Sequence, residues 1–310
     1  MTCNNSSACA GAETDSVLRE RIVRFMRGAS IGITPGDETH IPQLTELLPR
    51  RTVVYIAHGL SATLNQVVRT ALAVQRAGFV ASPHIVARRI DDSFTLRKAL
   101  DDLRAGGVEQ ILLVAGDTTH AAGQFHDALD ILATDLIAKC GIKQIGVACH
   151  PEGQRTVGKT MLWNALRTKQ EFARRAGIQM HLVSQFSLHA NALPDWEAEL
   201  ERQGILLPIH AGIAGPTPLS KLVKFAMLCG VAASLRTATG DSNAGGIATP
   251  LATHPDQHVM HMMQLPLATR IVAPHFFTLG ATIETARWIK RVLADQFDID
   301  PAGSHFRVES

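Results

Sequence analysis

Polar side chains recur where short apolar runs stop: Thr34, His58, His84, Asp117, His150, Glu152, Gln185, His210 and His275. The clearest case is Asp117. The run 111–115 is too short for a helix and suits a strand buried on both faces, and it ends at Gly116 and this one carboxylate. In a parallel sheet, side chains just past the carboxyl end of a strand point into the shared binding crevice, so Asp117 is expected where a ligand would sit. The plainer alternative is that Gly-Asp-Thr only turns the chain and caps the next helix. One histidine or glutamine at a strand end is more often a hydrogen-bonded core residue than a catalytic one. A whole set on one rim needs partners or a ligand and favours a pocket.

A second candidate is His254, His258 and His261, whose i, i+4, i+7 spacing would align three imidazoles on one helix face for a metal. The bland reading is a polar face opposite Met260, Met262 and Met263, and no metal site is expected because no rim Cys or carboxylate completes a recognised spacing. No G-x-G-x-x-G, Walker A, G-x-S-x-G or H-E-x-x-H occurs, so dinucleotide-fold, P-loop, hydrolase and zincin readings lack support.

The elements that would position this rim alternate along the chain. After a helix at 17–27, strands are expected at 30–34, 52–57, 80–86, 110–115, 143–148, 181–186, 205–209 and 269–277. Helices follow at 62–77, 94–105, 125–139, 158–176, 196–203, 219–229 and 282–294, mostly closed by glycine. Eight strands with intervening helices argue for a single-domain (β/α)8 barrel over residues 17–310 rather than a doubly wound sheet. The segment 230–266 breaks the rhythm, and its Gly-rich run at 240–246 is expected to move over a ligand.

Bulk composition narrows the partners. With 46% hydrophobic and 19% charged residues, a formal charge of +2 and 5% aromatics, there is no basic field for nucleic acid. Five cysteines without a CxxC pair suit a reducing cytoplasm. Residues 1–16 are small and polar, unlike a signal peptide, and read as a disordered tail. The richest apolar stretch, 222–235, is interrupted by Lys224 and falls short of the ~20 residues of a membrane span. A homo-oligomer is left open.

Taken in order, the strand ends resemble the methylenetetrahydrofolate reductase family, a (β/α)8 flavoprotein fold. The matching motifs are 30–36 (SIGITPG), Pro83-His84, Gly116-Asp117, His150-Pro151-Glu152, Ser184-Gln185-Phe186, His210-Ala211-Gly212-Ile213 and Lys224-Phe225-Ala226. The resemblance covers roughly residues 28–295. It implies reduction of methylenetetrahydrofolate to methyltetrahydrofolate, with hydride passing from NAD(P)H through FAD. It further implies that Asp117 favours the cationic iminium form of the folate, that Gln185 bonds the pterin, with Phe186 and His210 beside the substrate, and that His58, His84, Ala115, Asp117 and His150 line the flavin. A carboxylate near a developing cation is effective because its charge counts for more in a water-poor site.

The departures from the family pattern are specific. The first-strand glutamate that protonates the folate nitrogen is Gly32 here, the arginine two residues before Asp117 is Ala115, the second-strand Thr-Tyr-Gly is Ala57-His58-Gly59, and a lysine falls on Ala173. Losing the arginine and lysine removes charge that would meet the FAD pyrophosphate. Three expectations follow: a replacement acid at Glu38, His58 or Glu152; operation in the oxidising direction of a demethylation pathway; or methyl transfer onto tetrahydrofolate at a retained pterin site.

Overall fold

The computed structural model describes residues 6–154, 157–187, 191–228 and 254–308. Eight parallel strands close into a barrel: β1 (Ser30–Ile33), β2 (Val53–Ile56), β3 (Val80–Val86), β4 (Gln110–Val114), β5 (Gln144–Cys149), β6 (Gln179–Ser184), β7 (Ile209–Ala214) and β8 (Ile271–Phe277). The strands neighbour each other in chain order, and β8 pairs with β1 to shut the ring. Around them run α1 (Ser6–Met26), α2 (Ile41–Leu47), α3 (Leu64–Arg76), α4 (Ser93–Ala105), α5 (Ala128–Leu132), α6 (Leu136–Lys139), α7 (Lys159–Ala176), α8 (Ala192–Arg202), α9 (Leu219–Leu228), α10 (Pro255–Met263) and α11 (Thr282–Leu293). A short hairpin, β9 (Asp298–Ile299) with β10 (Phe306–Arg307), follows α11.

Strand alternation sorts the side chains into two cores. Ile31 and Ile33, Val54 and Ile56, Ile111 and Leu113, Ile145 and Val147, and Ile209 and Ile213 face outward and pack beneath the helices in one continuous cluster. Tyr55, Leu112 and Val183 face inward and form a separate small cluster inside the ring. Each fully buried aliphatic of the outer layer contributes about 1.5–3 kcal/mol, so that layer supplies most of the driving force. Local signals fix the ends of the helices. Thr63 and Gln66 form a capping box at the start of α3, and the Asp92 carboxylate accepts from Thr95 N at 2.7 Å to start α4.

Three expectations change here. α1 begins at Ser6, inside the stretch read as a tail, where Ala8, Ala10, Ala12 and Glu13 favour helix. The helix expected at 125–139 is two short ones, separated where Asp135 takes a left-handed φ of 57°. The seventh strand starts at Ile209 rather than 205, because Ile209, Ala211 and Ile213 supply the outward alternation while Leu206 is exposed. The mobile run expected at 240–246 lies outside the described residues. Among the described residues no helix is long and apolar enough to cross a membrane.

Candidate active site

The mouth is shaped by the turns after the strands. Gly116 closes β4 with φ 104°, and a β-carbon there would stand 2.6 Å from Val86 Cγ1, so the turn that presents Asp117 needs glycine. Two adjacent arginines past β3 then hold the rim by donating to backbone carbonyls. Arg88 reaches His126 O at 2.8 Å and Thr118 O at 3.0 Å, fixing the loop that carries Asp117. Arg89 reaches His58 O at 2.9 Å and Ala62 O at 2.8 Å, fixing the loop after β2.

On one side of the mouth, His150, Pro151, Glu152, Gln185, Phe186 and Ser187 line a shallow cleft at the ends of β5 and β6. The Ser187 hydroxyl donates to the Glu152 carboxylate. His150 is held below the usual imidazole range, first by burial and then by the Lys169 ammonium, with the Asp117 carboxylate opposing both. Asp117 therefore acts electrostatically on the ring at the cleft's edge, although its side chain is exposed rather than buried. Its charge is screened by water unless a ligand covers it. Burial lowers the pKa of Lys169 on α7, while the Asp127 carboxylate opposes that shift.

Beneath the mouth, the barrel interior is polar to an unusual degree. Tyr55 Oη and His181 Nε2 are 2.8 Å apart, Gln110 Nε2 donates to Tyr55 Oη at 3.4 Å, and Gln144 Nε2 meets His181 Nδ1 at 3.2 Å. The His181 and His210 rings stack at 4.3 Å, and His275 stands edge-on to Tyr55 at 4.6 Å. Burial is the main cause that pushes His181 down to about 3 and His84 and His210 down to about 4, and it pushes Tyr55 upward. These imidazoles are neutral at neutral pH. Gly146 makes room for them, since a β-carbon there would approach Leu112 Cδ1 to 2.8 Å and His181 Nε2 to 3.0 Å.

Of the residues expected on the rim, the structure brings Asp117, His150, Glu152, Gln185 and Phe186 to one side of the mouth, with Ala115 directly before the Gly116 turn. It does not bring the others with them. Glu38 lies outside the barrel, where its carboxylate accepts from Thr70 Oγ1 of α3 at 2.8 Å and pairs with Arg69 at 3.4 Å. His58 turns back on its own loop, with Nε2 3.2 Å from Ala62 O, and burial and Arg89 push it down to about 4. His210 is the second residue of β7 and stays inside the barrel, a consequence of the later start of that strand. His84 likewise sits within β3, near enough to Tyr55 for an edge contact at 6.3 Å. The three-imidazole row is broken, since His254 is extended (φ −127°, ψ 142°) ahead of α10 and bonds Asp256 at 3.0 Å. Among the described residues no group of three or more His, Cys, Asp or Glu is placed to hold a metal ion.

Tyr55, His181, Gln110, Gln144, Ser30 and Lys169 went unnoticed in the sequence. A signal existed for most of them. Inside apolar runs, polar residues at every second position can only face the ring interior, where each needs a partner.

A closed parallel barrel with its polar cluster at the carboxyl ends of the strands is the arrangement of a (β/α)8 enzyme. Residues 40–241, about two thirds of the chain, match the methylenetetrahydrofolate reductase family model, and the chain belongs to that family. A general methylenetetrahydrofolate reductase-like function on a folate follows, in a family that is generally flavin-dependent. β1 and β8 lie beyond the matched span. Among solved structures, the chain is similar to a conserved Enterococcus faecalis protein of unknown function (12% identity, TM-score 0.45), covering 86% of this chain and 65% of that one. It is also similar to dihydropteroate synthase from Thermus thermophilus (13% identity, TM-score 0.46), covering 86% and 92%. A third is 3-dehydroquinate dehydratase from Aquifex aeolicus (8% identity, TM-score 0.43), covering 87% and 99%.

Proposed function

We propose that this chain is an NAD(P)-dependent cytoplasmic oxidoreductase interconverting 5,10-methylenetetrahydrofolate and 5-methyltetrahydrofolate, working in the oxidising direction of a demethylation pathway. The observation that carries this reading is the convergence of Asp117, His150, Glu152 and Gln185 on one side of the mouth, inside the span that matches the family. Gln185 would hydrogen-bond the pterin beside Phe186. Asp117 would face the N5-methylene cation, where a ligand lying over it excludes water and strengthens its field.

The residues present fit a flavin. Ala173 is packed in the core and brings no charge, but Lys169, one turn earlier, is a half-buried cation that acts electrostatically on His150 and would meet an anionic group near it. Asp117 and His150 would line the ring system, and FAD, when bound, supplies a relay for the hydride. The proton-handling groups support the oxidising direction. Glu38 and His58 are occupied elsewhere, residue 32 has no side chain, and the imidazoles under the mouth are neutral bases rather than acids.

The test is an absorption spectrum of the purified protein, followed by anaerobic addition of methyltetrahydrofolate with NAD(P)+. Flavin bands that bleach and NAD(P)H that forms support the reading. The losses at Gly32 and Ala115 favour one competitor, methyl transfer onto tetrahydrofolate. It predicts no reduced nicotinamide under any condition.

A further inference from the structure

The loop that carries Asp117 is long and thinly packed. It runs from Ala115, just past the end of β4, to Asp127 at the cap of α5, and only Phe125 within it is buried. With so little apolar packing, hydrogen bonds must fix its course. Arg88 reaches it along its length from the short turn Ala87–Arg89 that ends β3. Its N–H donates to Ala115 O at 3.0 Å and its carbonyl accepts from Ala122 N at 2.8 Å. Its Nη1 donates to Gly116 O at 3.4 Å and Thr118 O at 3.0 Å, and its Nε to His126 O at 2.8 Å. The carbonyls of 116 and 118 flank Asp117, so one nitrogen locates the chain on both sides of the carboxylate.

Arg89, the next residue, serves the other neighbour of β3. Its Nη1 donates to His58 O at 2.9 Å and to Gly59 O, and its Nη2 to Leu60 O at 3.1 Å and Ala62 O at 2.8 Å, all in the loop after β2. Every acceptor of both side chains is a main-chain carbonyl, so the grip sets the course of each loop whatever side chains that loop carries. Only a planar guanidinium, with donors fixed in a fork, can serve several carbonyls in one geometry. A lysine ammonium matches the charge and not the fork.

We propose that Arg88 is the positioning residue for Asp117, setting where the carboxylate stands at the mouth, while Arg89 holds the opposite loop independently. This rests on the reading of Asp117 given above, and Arg88 acts through that carboxylate rather than on the reacting atoms. Asp117 is exposed on its turn, so its own side chain has no packing to hold it in place. Its placement is inherited from the backbone that Arg88 fixes, and a displacement of about 1 Å at such a group costs about 100-fold in rate.

A double-mutant cycle tests this, with hydrogen exchange beside it. Arg88→Lys keeps the charge and removes the fork, and is expected to lower kcat for methyltetrahydrofolate oxidation about 10- to 100-fold. The segment 115–126 is expected to lose exchange protection in the same variant. Placed in an Asp117→Asn background, Arg88→Lys is expected to cost less than about twofold more, because the carboxylate it positions is already gone. Arg89→Lys is the control, and its effect on kcat is expected to be the same in both backgrounds. Should Arg88→Lys not fold, Arg88→Gln, which keeps an amide donor, takes its place with the same expectations. A rate loss from Arg88→Lys that persists in full beside Asp117→Asn marks a merely structural role and overturns the assignment. Unchanged exchange in 115–126 overturns it too. An unaltered protein that neither binds methyltetrahydrofolate nor forms NAD(P)H brings down the folate reading, and exchange at 115–126 then still decides whether Arg88 holds the loop.

Discussion

The mouth and the interior of this barrel are both rich in polar groups, but they are built differently. Asp117, His150 and Glu152 ride on turns past the strand ends, partly open to water, while Tyr55, His181, His210 and His275 sit within strands, joined by short hydrogen bonds and ring contacts. A group on a turn can be exchanged with little cost to the fold, because water replaces what it loses. A group in the ring cannot, because its partners would be left buried and unpaired. The mouth is thus free to vary with chemistry, and the interior is tied to stability.

The sharpest way to break that contrast is acid. His181 is pushed to about 3 and His84 and His210 to about 4, all below an unfolded value of 6.5. The unfolded chain therefore binds more protons in this window, and stability is full above about pH 6.5 and lost as pH falls towards 4 and then 3. Each ring whose pKa is lowered by burial adds to the loss, so the decline towards pH 4 is expected to be steep. Urea titrations from pH 7.5 to 4 should show the midpoint falling steeply, and a flat profile would mean the rings are solvated.

The next effect belongs to the mouth alone. Asp117→Asn should lower turnover about 100-fold or more with an unchanged melting temperature. Near-normal activity would remove its assigned role, and a lowered melting point would erase the distinction between the two regions. Tyr55→Phe should do the reverse, costing about 1–3 kcal/mol in urea unfolding by stranding His181 Nε2 and Gln110, with folate affinity little changed. The smallest effect is expected from Gln185→Ala. It should weaken folate binding about tenfold, one hydrogen bond's worth, and leave the nicotinamide KM alone. Equal effects on both ligands would place Gln185 away from the pterin.

Much of this was legible along the chain. Apolar runs of strand length, helices closed by glycine and polar residues at the run ends marked a barrel with a polar rim, and Asp117, His150, Glu152 and Gln185 stand at run ends that the fold places on one side of the mouth. The rule failed where a strand's register was ambiguous. Residues 205–214 hold apolar positions compatible with two starts, and only the packing of Gly212 against Ser184 and the outward row of Ile209, Ala211 and Ile213 selects the later one. That shift carries His210 from rim to interior. Glu38 and His58 failed for another reason: a side chain's partner can lie far off in sequence, as Thr70 does, and adjacency to a strand end says nothing about where the side chain turns.

Local pattern by itself determined the eight-strand alternation, the caps of α3 and α4, and the family to which residues 40–241 belong, since period, capping and motif order are all properties of neighbours along the chain. Only the tertiary structure decided which polar residues share a space. Closing β8 onto β1 brings Ser30, Gly32 and His275 together from opposite ends of the chain, and ring closure is a long-range event that no local spacing encodes.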